Sequence, residues 1–184
     1  MTGTRRGEVV GLRWADIDFE RGLVAVNQQV VQLGRELRIG PPKTRAGTRV
    51  VPVDPQTLDV LKEHQRRQAA EAAAWGPARP ATDLVFTRED GSLVRPDTVS
   101  RHFRLLTRRA GLPVIRLHDL RHTSASLALT AGVAMRVVSD RLGHTTTSIT
   151  ADLYTHVSPV VSRRPATAIA DLVGAAGEQP VSES

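Results

Sequence analysis

Cysteine is absent from all 184 residues, which excludes disulfides, thiolate zinc sites and cysteine nucleophiles. That absence fits a reducing compartment, and we expect a cytoplasmic protein. Aromatic residues are scarce, at 3% of the chain against 40% hydrophobic residues. The core must therefore come mostly from Leu, Val and Ala, which favours helices over a β-sandwich. No apolar run approaches the ~20 residues that cross a bilayer. None follows the basic residues near the start in the manner of a signal peptide. Lysine is rare too, with only Lys43 and Lys62, so the remaining basic side chains are arginines. The formal net charge is +6 and the pI is near 11.0. Arginine stays charged and holds planar anions with two parallel hydrogen bonds, which suits phosphate. Charge alone thus points to a polyanionic partner, although a GC-rich genome would give the same arginine bias.

The length suits one domain with one core. Val9, Val10, Leu12 and Trp14, with charged residues between them, predict a short helix within 5–14. Residues 16–22 read as a turn, and the Val-rich run 23–33 as a strand. Gly34-Arg35 reads as a tight turn into 36–39, Gly40-Pro41-Pro42 as a break, 43–47 as a polar loop, and 48–53 as another strand. Asp54-Pro55 marks a helix start. That helix fades into the Ala-rich stretch 69–74, ahead of a Gly/Pro/Ala linker over 75–82. A helix over 97–110 carries two stripes, Val99/Phe103/Leu106/Ala110 for the core and Arg101/Arg104/Arg108 facing elsewhere. Further helices are expected near 118–131, 134–142, 147–155 and 165–173, with a disordered tail at 174–184. The fold class that results is α+β, mainly α-helical, with a small antiparallel β-sheet of two or three strands.

Four clusters carry candidate chemistry. His118 and Arg121 lie three apart on one helix face and offer several donors to one phosphate. Read alone, the same cluster is an ordinary basic helix start with Asp119 favouring the helix dipole. His144 follows a Leu-Gly turn, and a short helix separates it from Tyr154, the only tyrosine. Arg5 opens the first helix. Lys43 sits in a loop between strands. Two other readings of these residues are possible. His118 and His122 have the i, i+4 spacing of a zinc helix, but Asp119 stands where such a motif has Glu and no third ligand is evident. A helix-turn-helix over 134–154 would leave Arg5 and Lys43 unexplained.

Taken in order, the clusters resemble the tyrosine recombinases of the phage-integrase type. Thr2-Gly3-Thr4-Arg5-Arg6-Gly7-Glu8 with Gly11-Leu12-Arg13-Trp14-Ala15-Asp16-Ile17-Asp18 looks like their opening signature. Pro42-Lys43-Thr44 is similar to their β-hairpin lysine motif. Ile115-Arg116-Leu117-His118-Asp119-Leu120-Arg121-His122-Thr123 resembles their second arginine box. Leu142-Gly143-His144 and Tyr154-Thr155-His156-Val157 resemble the end of that box and the nucleophile. The resemblance runs from residue 2 to about 160.

It implies a tyrosine recombinase catalytic domain over 1–173 that performs site-specific DNA recombination or integration without metal or cofactor. Tyr154 would attack a scissile phosphate to give a 3′-phosphotyrosyl bond. Arg5 and Arg121 would grip the non-bridging oxygens, His144 would donate to the same centre, His118 would assist proton transfer, and Lys43 would protonate the leaving 5′-oxygen. Arg5 rather than Arg6 fits the family register, which places its arginine two residues before the Gly-Glu pair. Glu8, Asp119 and His122 are expected to orient the arginines or cap helices. The partners implied are double-stranded DNA, with Arg101, Arg104 and Arg108 as a backbone-contact face, and further copies of the chain, as a tetramer on paired sites. Family members carry a helical core-binding domain ahead of this one, and a helix before the first arginine. Neither is seen here, so the chain is expected to be N-terminally truncated. The alternative is a catalytically silent DNA-binding remnant.

Overall fold

Asp54 is the kind of residue that starts a helix, and it does so here. Its carboxylate accepts from the Thr57 amide at 2.9 Å and Pro55 takes the first helical position, so that one donor at the helix start is satisfied. The computed structural model describes residues 2–146. Within them the elements run α1 Arg6–Val10, β1 Ile17–Asp18, β2 Leu23–Val26, β3 Gln29–Leu33, β4 Glu36–Gly40, β5 Arg49–Pro52, α2 Pro55–Trp75, α3 Pro96–Arg109, α4 Asp119–Thr130 and α5 Met135–Leu142. Helix α2 runs on through the alanines expected to fray, as alanine has the highest helix propensity. The segments at 147–155, 165–173 and 174–184 lie outside the described residues.

The Val-rich run 23–33 does not form one strand. β2 is the centre of an antiparallel sheet ordered β1-β2-β5, with Val24 opposite both Ile17 and Val51, whereas among the described residues β3 pairs only with β4, in a separate hairpin around Gly34-Arg35. The break has a local cause. The Asn27 amide donates to Asp16 at 2.9 Å and the Gln28 amide to the Gly11 carbonyl at 2.8 Å. Both bonds tie the junction to the preceding loop and redirect the chain. The hairpin then packs under α1, where Gly7 is needed because a Cβ there would lie 2.7 Å from the Val30 carbonyl oxygen.

Two apolar clusters hold these parts. Ile17, Val24, Val53, Leu58 and Val85 are buried with Leu12, Trp14, Phe19, Leu61 and Phe86 against them. Each full burial of an aliphatic side chain contributes on the order of 1.5–3 kcal/mol. The Trp14 indole donates to Gln68 at 2.8 Å, and the His64 ring lies between Trp14 and Phe86 with centroids at 5.8 and 5.4 Å. The second cluster, Ala125, Leu129, Val138 and Leu142 with Ala128 and Met135, joins α4 to α5.

Helix α3 corrects one expectation. Val99 and Phe103 are partly buried and Thr107 is buried, but Leu106 is 61% exposed and Ala110 is exposed. The inward stripe follows i, i+4, i+8 to Thr107, whose hydroxyl donates to the Arg104 carbonyl and so avoids an unpaired buried polar group. The helix is fixed at its start by Gln32, which bonds the Asp97 carboxylate at 2.8 Å, and by Arg95, which donates to the Gly34 and Arg35 carbonyls. Among the described residues no helix is long and apolar enough to cross a membrane.

Candidate active site

The segment before α1, the start of α4 and the turn after α5 converge on one arginine. Arg121 is 5% exposed, and its guanidinium donates to the Gly3 and Leu142 carbonyl oxygens. These bonds staple the first residues of the chain to the Leu142-Gly143-His144 turn. Burial, and then the positive charge of Arg5, pull the Arg121 pKa down to about 10. Two cations held within reach of each other at a partly buried point make a place that an anion relieves.

Arg5 reaches the same turn, donating to the Gly143 carbonyl at 3.3 Å and to Glu8 at 2.7 Å. Arg6, its neighbour, points away and donates to Ser100 on α3. Of the two neighbours, Arg5 is the one that meets Arg121 at this turn. Glu8 is 3% exposed and its two oxygens are fully used. One accepts from Arg5 Nη1 and Arg49 Nη1, the other from the Arg5 backbone amide and Arg49 Nη2. Burial alone would raise the Glu8 pKa, but the hydrogen bonds from Arg49 and Arg5 and the charge of Arg49 outweigh it, and the carboxyl lies below its ordinary value.

His144 follows Gly143, which adopts φ +66° and closes α5. Its pKa is lowered to about 4, by burial first and then by the charges of Arg121 and Arg5, so at neutral pH it is an uncharged donor or acceptor. His118 is exposed at the start of α4, with its pKa lowered by desolvation of the ring and then by His122 and Arg121. The two histidine rings meet edge to face at 5.0 Å, and the buried Nδ1 of His122 has no hydrogen-bond partner among the described residues. Asp119 accepts from the Arg116 amide at 2.8 Å and from its guanidinium, and so braces the loop entering α4.

Lys43 is exposed on the loop between β4 and β5. The base of that loop touches the site, since a Cβ on Gly143 would lie 2.6 Å from the Ala46 carbonyl oxygen. Arg101, Arg104 and Arg108 are all exposed on α3, and Arg101 donates to Thr98. Tyr154 lies outside the described residues. Sequence reasoning missed Arg49, whose buried pair with Glu8 measures 2.8 Å. An arginine in a strand of otherwise apolar residues, Arg49-Val50-Val51-Pro52, was the available signal.

Fold and site together define a mixed α+β domain with a partly buried arginine–histidine cluster suited to holding an anion. Residues 1–160 match the phage integrase family, and the chain belongs to it. It is 35% identical over 170 residues to a tyrosine recombinase XerC-like protein of Caldanaerobacter subterraneus, covering 86% of this chain and 44% of that one. The ICEBs1 integrase of Bacillus subtilis is 28% identical, with 94% and 47% covered. The chain therefore spans less than half the length of these relatives. Among solved structures, the Tn1549 transposon integrase in complex with transposon right end DNA superposes with a TM-score of 0.76 at 22% identity, covering 92% of this chain and 56% of that one. XerA recombinase superposes at 0.66 with 24% identity, covering 90% and 53%. These two likenesses establish the fold.

Proposed function

We propose that this chain carries the strand-cleaving centre of a site-specific DNA recombinase or integrase. The observation that carries the reading is the convergence of Arg121, Arg5 and His144 at one turn, with Arg121 lowered to about 10 by burial and by the neighbouring Arg5. Membership of the phage integrase family, and relatives named as recombinases and integrases, supply the reaction class.

In this reading the scissile phosphate sits between Arg5 and Arg121, which bind its non-bridging oxygens as their charge grows. The Tyr154 phenolic oxygen attacks phosphorus and the bond to the 5′-oxygen breaks. The phenolic proton passes to His118, which is exposed and neutral enough to accept it. Lys43, on its exposed loop, delivers a proton to the leaving 5′-oxygen. His144, kept uncharged, donates to a phosphate oxygen. A 5′-hydroxyl then attacks the phosphotyrosyl bond in the reverse sense and reseals a strand, so no external energy is consumed. Arg101, Arg104 and Arg108 contact the backbone of double-stranded DNA without reading its sequence. Four copies on paired sites, in the cytoplasm, would complete the exchange.

The test is relaxation of supercoiled plasmid at low salt by the full chain beside a Tyr154→Phe variant. Relaxation and a covalent protein–DNA adduct are expected from the wild type alone. Equal relaxation by the variant would remove Tyr154 as the nucleophile, and binding without relaxation by the wild type would favour a DNA-binding role without cleavage.

A further inference from the structure

The Arg49 side chain is buried beside the site and has no part in the reaction just described. Its guanidinium directs every nitrogen inward. Nε donates to the Arg141 carbonyl at 2.7 Å, Nη1 to the Gly47 carbonyl at 2.8 Å and Glu8 Oε1 at 3.2 Å, and Nη2 to Glu8 Oε2 at 2.8 Å. These acceptors lie on three separate stretches. Glu8 holds Arg5, Gly47 lies in the loop that carries Lys43, and Arg141 is at the end of α5 just before the His144 turn. That turn lies flat on Arg49, because a Cβ on Gly143 would approach its Cδ and Nη1 to 3.1 Å.

From this geometry we infer that Arg49 is a positioning residue that holds Arg5, the Lys43 loop and the His144 turn in register around one phosphate. The inference rests on the strand-cleavage reading and adds to it the part that aligns its groups. The electrostatics follow from the same contacts. Three guanidiniums, Arg5, Arg49 and Arg121, interact with the single carboxylate of Glu8, which leaves two positive charges in surplus for an anion. Without Arg49 the surplus falls to one, and the buried Glu8 has Arg5 as its remaining side-chain donor. Glu8 is then no longer clamped, and the Arg5 guanidinium that it holds loses its fixed place beside the phosphate. A lysine offers a single point of donation and does not bridge three stretches.

The test compares the full wild-type chain with Arg49→Met, at a temperature where circular dichroism shows both fully folded. The rate constant of plasmid relaxation at saturating protein is expected to fall at least tenfold, while plasmid affinity by mobility shift changes less than twofold. A folded variant that relaxes plasmid at the wild-type rate overturns the inference, and so does a loss confined to affinity. If Arg49→Met does not fold, Arg49→Lys keeps a positive charge beside Glu8 and is expected to show the same split. If the wild type itself fails to relax plasmid, the cleavage reading is the one that has failed. Nuclear magnetic resonance then decides the positioning role. Arg5 guanidinium protons that exchange slowly in the wild type and at bulk-solvent rate in the variant support it, and unchanged exchange overturns it.

Discussion

Replacing His144 with Gln removes a titrating group whose behaviour the fold has altered, and the consequence can be worked out. His144 titrates near 4 in the folded chain against 6.5 for the ordinary side chain. The folded state therefore resists protonation that the unfolded state accepts. Its contribution is fully present above pH 6.5 and is lost progressively as pH falls from 6.5 towards 4. Between 6.5 and 5 the full effect is about 2 kcal/mol. The ring is only half-buried, and solvent screening reduces this to about 1 kcal/mol. In a domain of this size that corresponds to roughly 2–4 °C in Tm. Thermal unfolding of the wild type and His144→Gln should be followed by circular dichroism from pH 7 to pH 5. The wild type should lose stability more steeply, by that difference. His118 is lowered in the same direction and contributes to both proteins alike. The depressed carboxyls of Glu8, Asp16 and Asp119 lose their stabilisation only at more acidic pH, so they do not enter this window. Parallel pH dependence in the two proteins would refute the claim that burial and the neighbouring arginines keep His144 neutral.

Two further substitutions probe the turn and the proposed DNA face. Gly143→Ala places a Cβ where φ is +66° and the Ala46 carbonyl oxygen is 2.6 Å away. The left-handed backbone costs roughly 1–2 kcal/mol for an L-residue, and the clash adds to it, so urea unfolding should show a loss of about 2 kcal/mol or more. An unchanged midpoint would mean that the turn does not press on the Lys43 loop. Replacing Arg101, Arg104 and Arg108 together by Ala should lower the slope of log affinity against log salt for duplex DNA by up to about 3, at roughly 0.9 per phosphate contact. An unchanged slope would make this helix face a solvated one.

Much of the fold was legible because its signals are local. Asp54-Pro55 starts α2, Gly34-Arg35 closes the hairpin and Gly143 ends α5, each through the conformational needs of one or two residues. The residues of the candidate site were legible as ordered motifs, and Arg5, Arg121 and His144 do meet. The division of 23–33 was not legible, because β-propensity continues through it and the break comes from Asn27 and Gln28 bonding to residues 11 and 16. The burial of Thr107 in place of Leu106 was hidden for a similar reason. The hydrophobic period marks apolar residues, while the neighbours packed on α3 decide which face turns inward.

The sequence by itself determined the arginine-rich charge, the order of the helices among the described residues, and the candidate chemistry, since these depend on residue type and short-range spacing. Tertiary structure alone decided that Arg5 donates to the Gly143 carbonyl while Arg6 turns away to Ser100. It also made Glu8 a buried link between Arg5 and Arg49, and set the proton affinities of Arg121 and His144 through burial and through cations brought from distant parts of the chain. Desolvation and Coulomb interaction depend on distance in space, and residues 5, 49, 121 and 144 become neighbours only when the chain is folded.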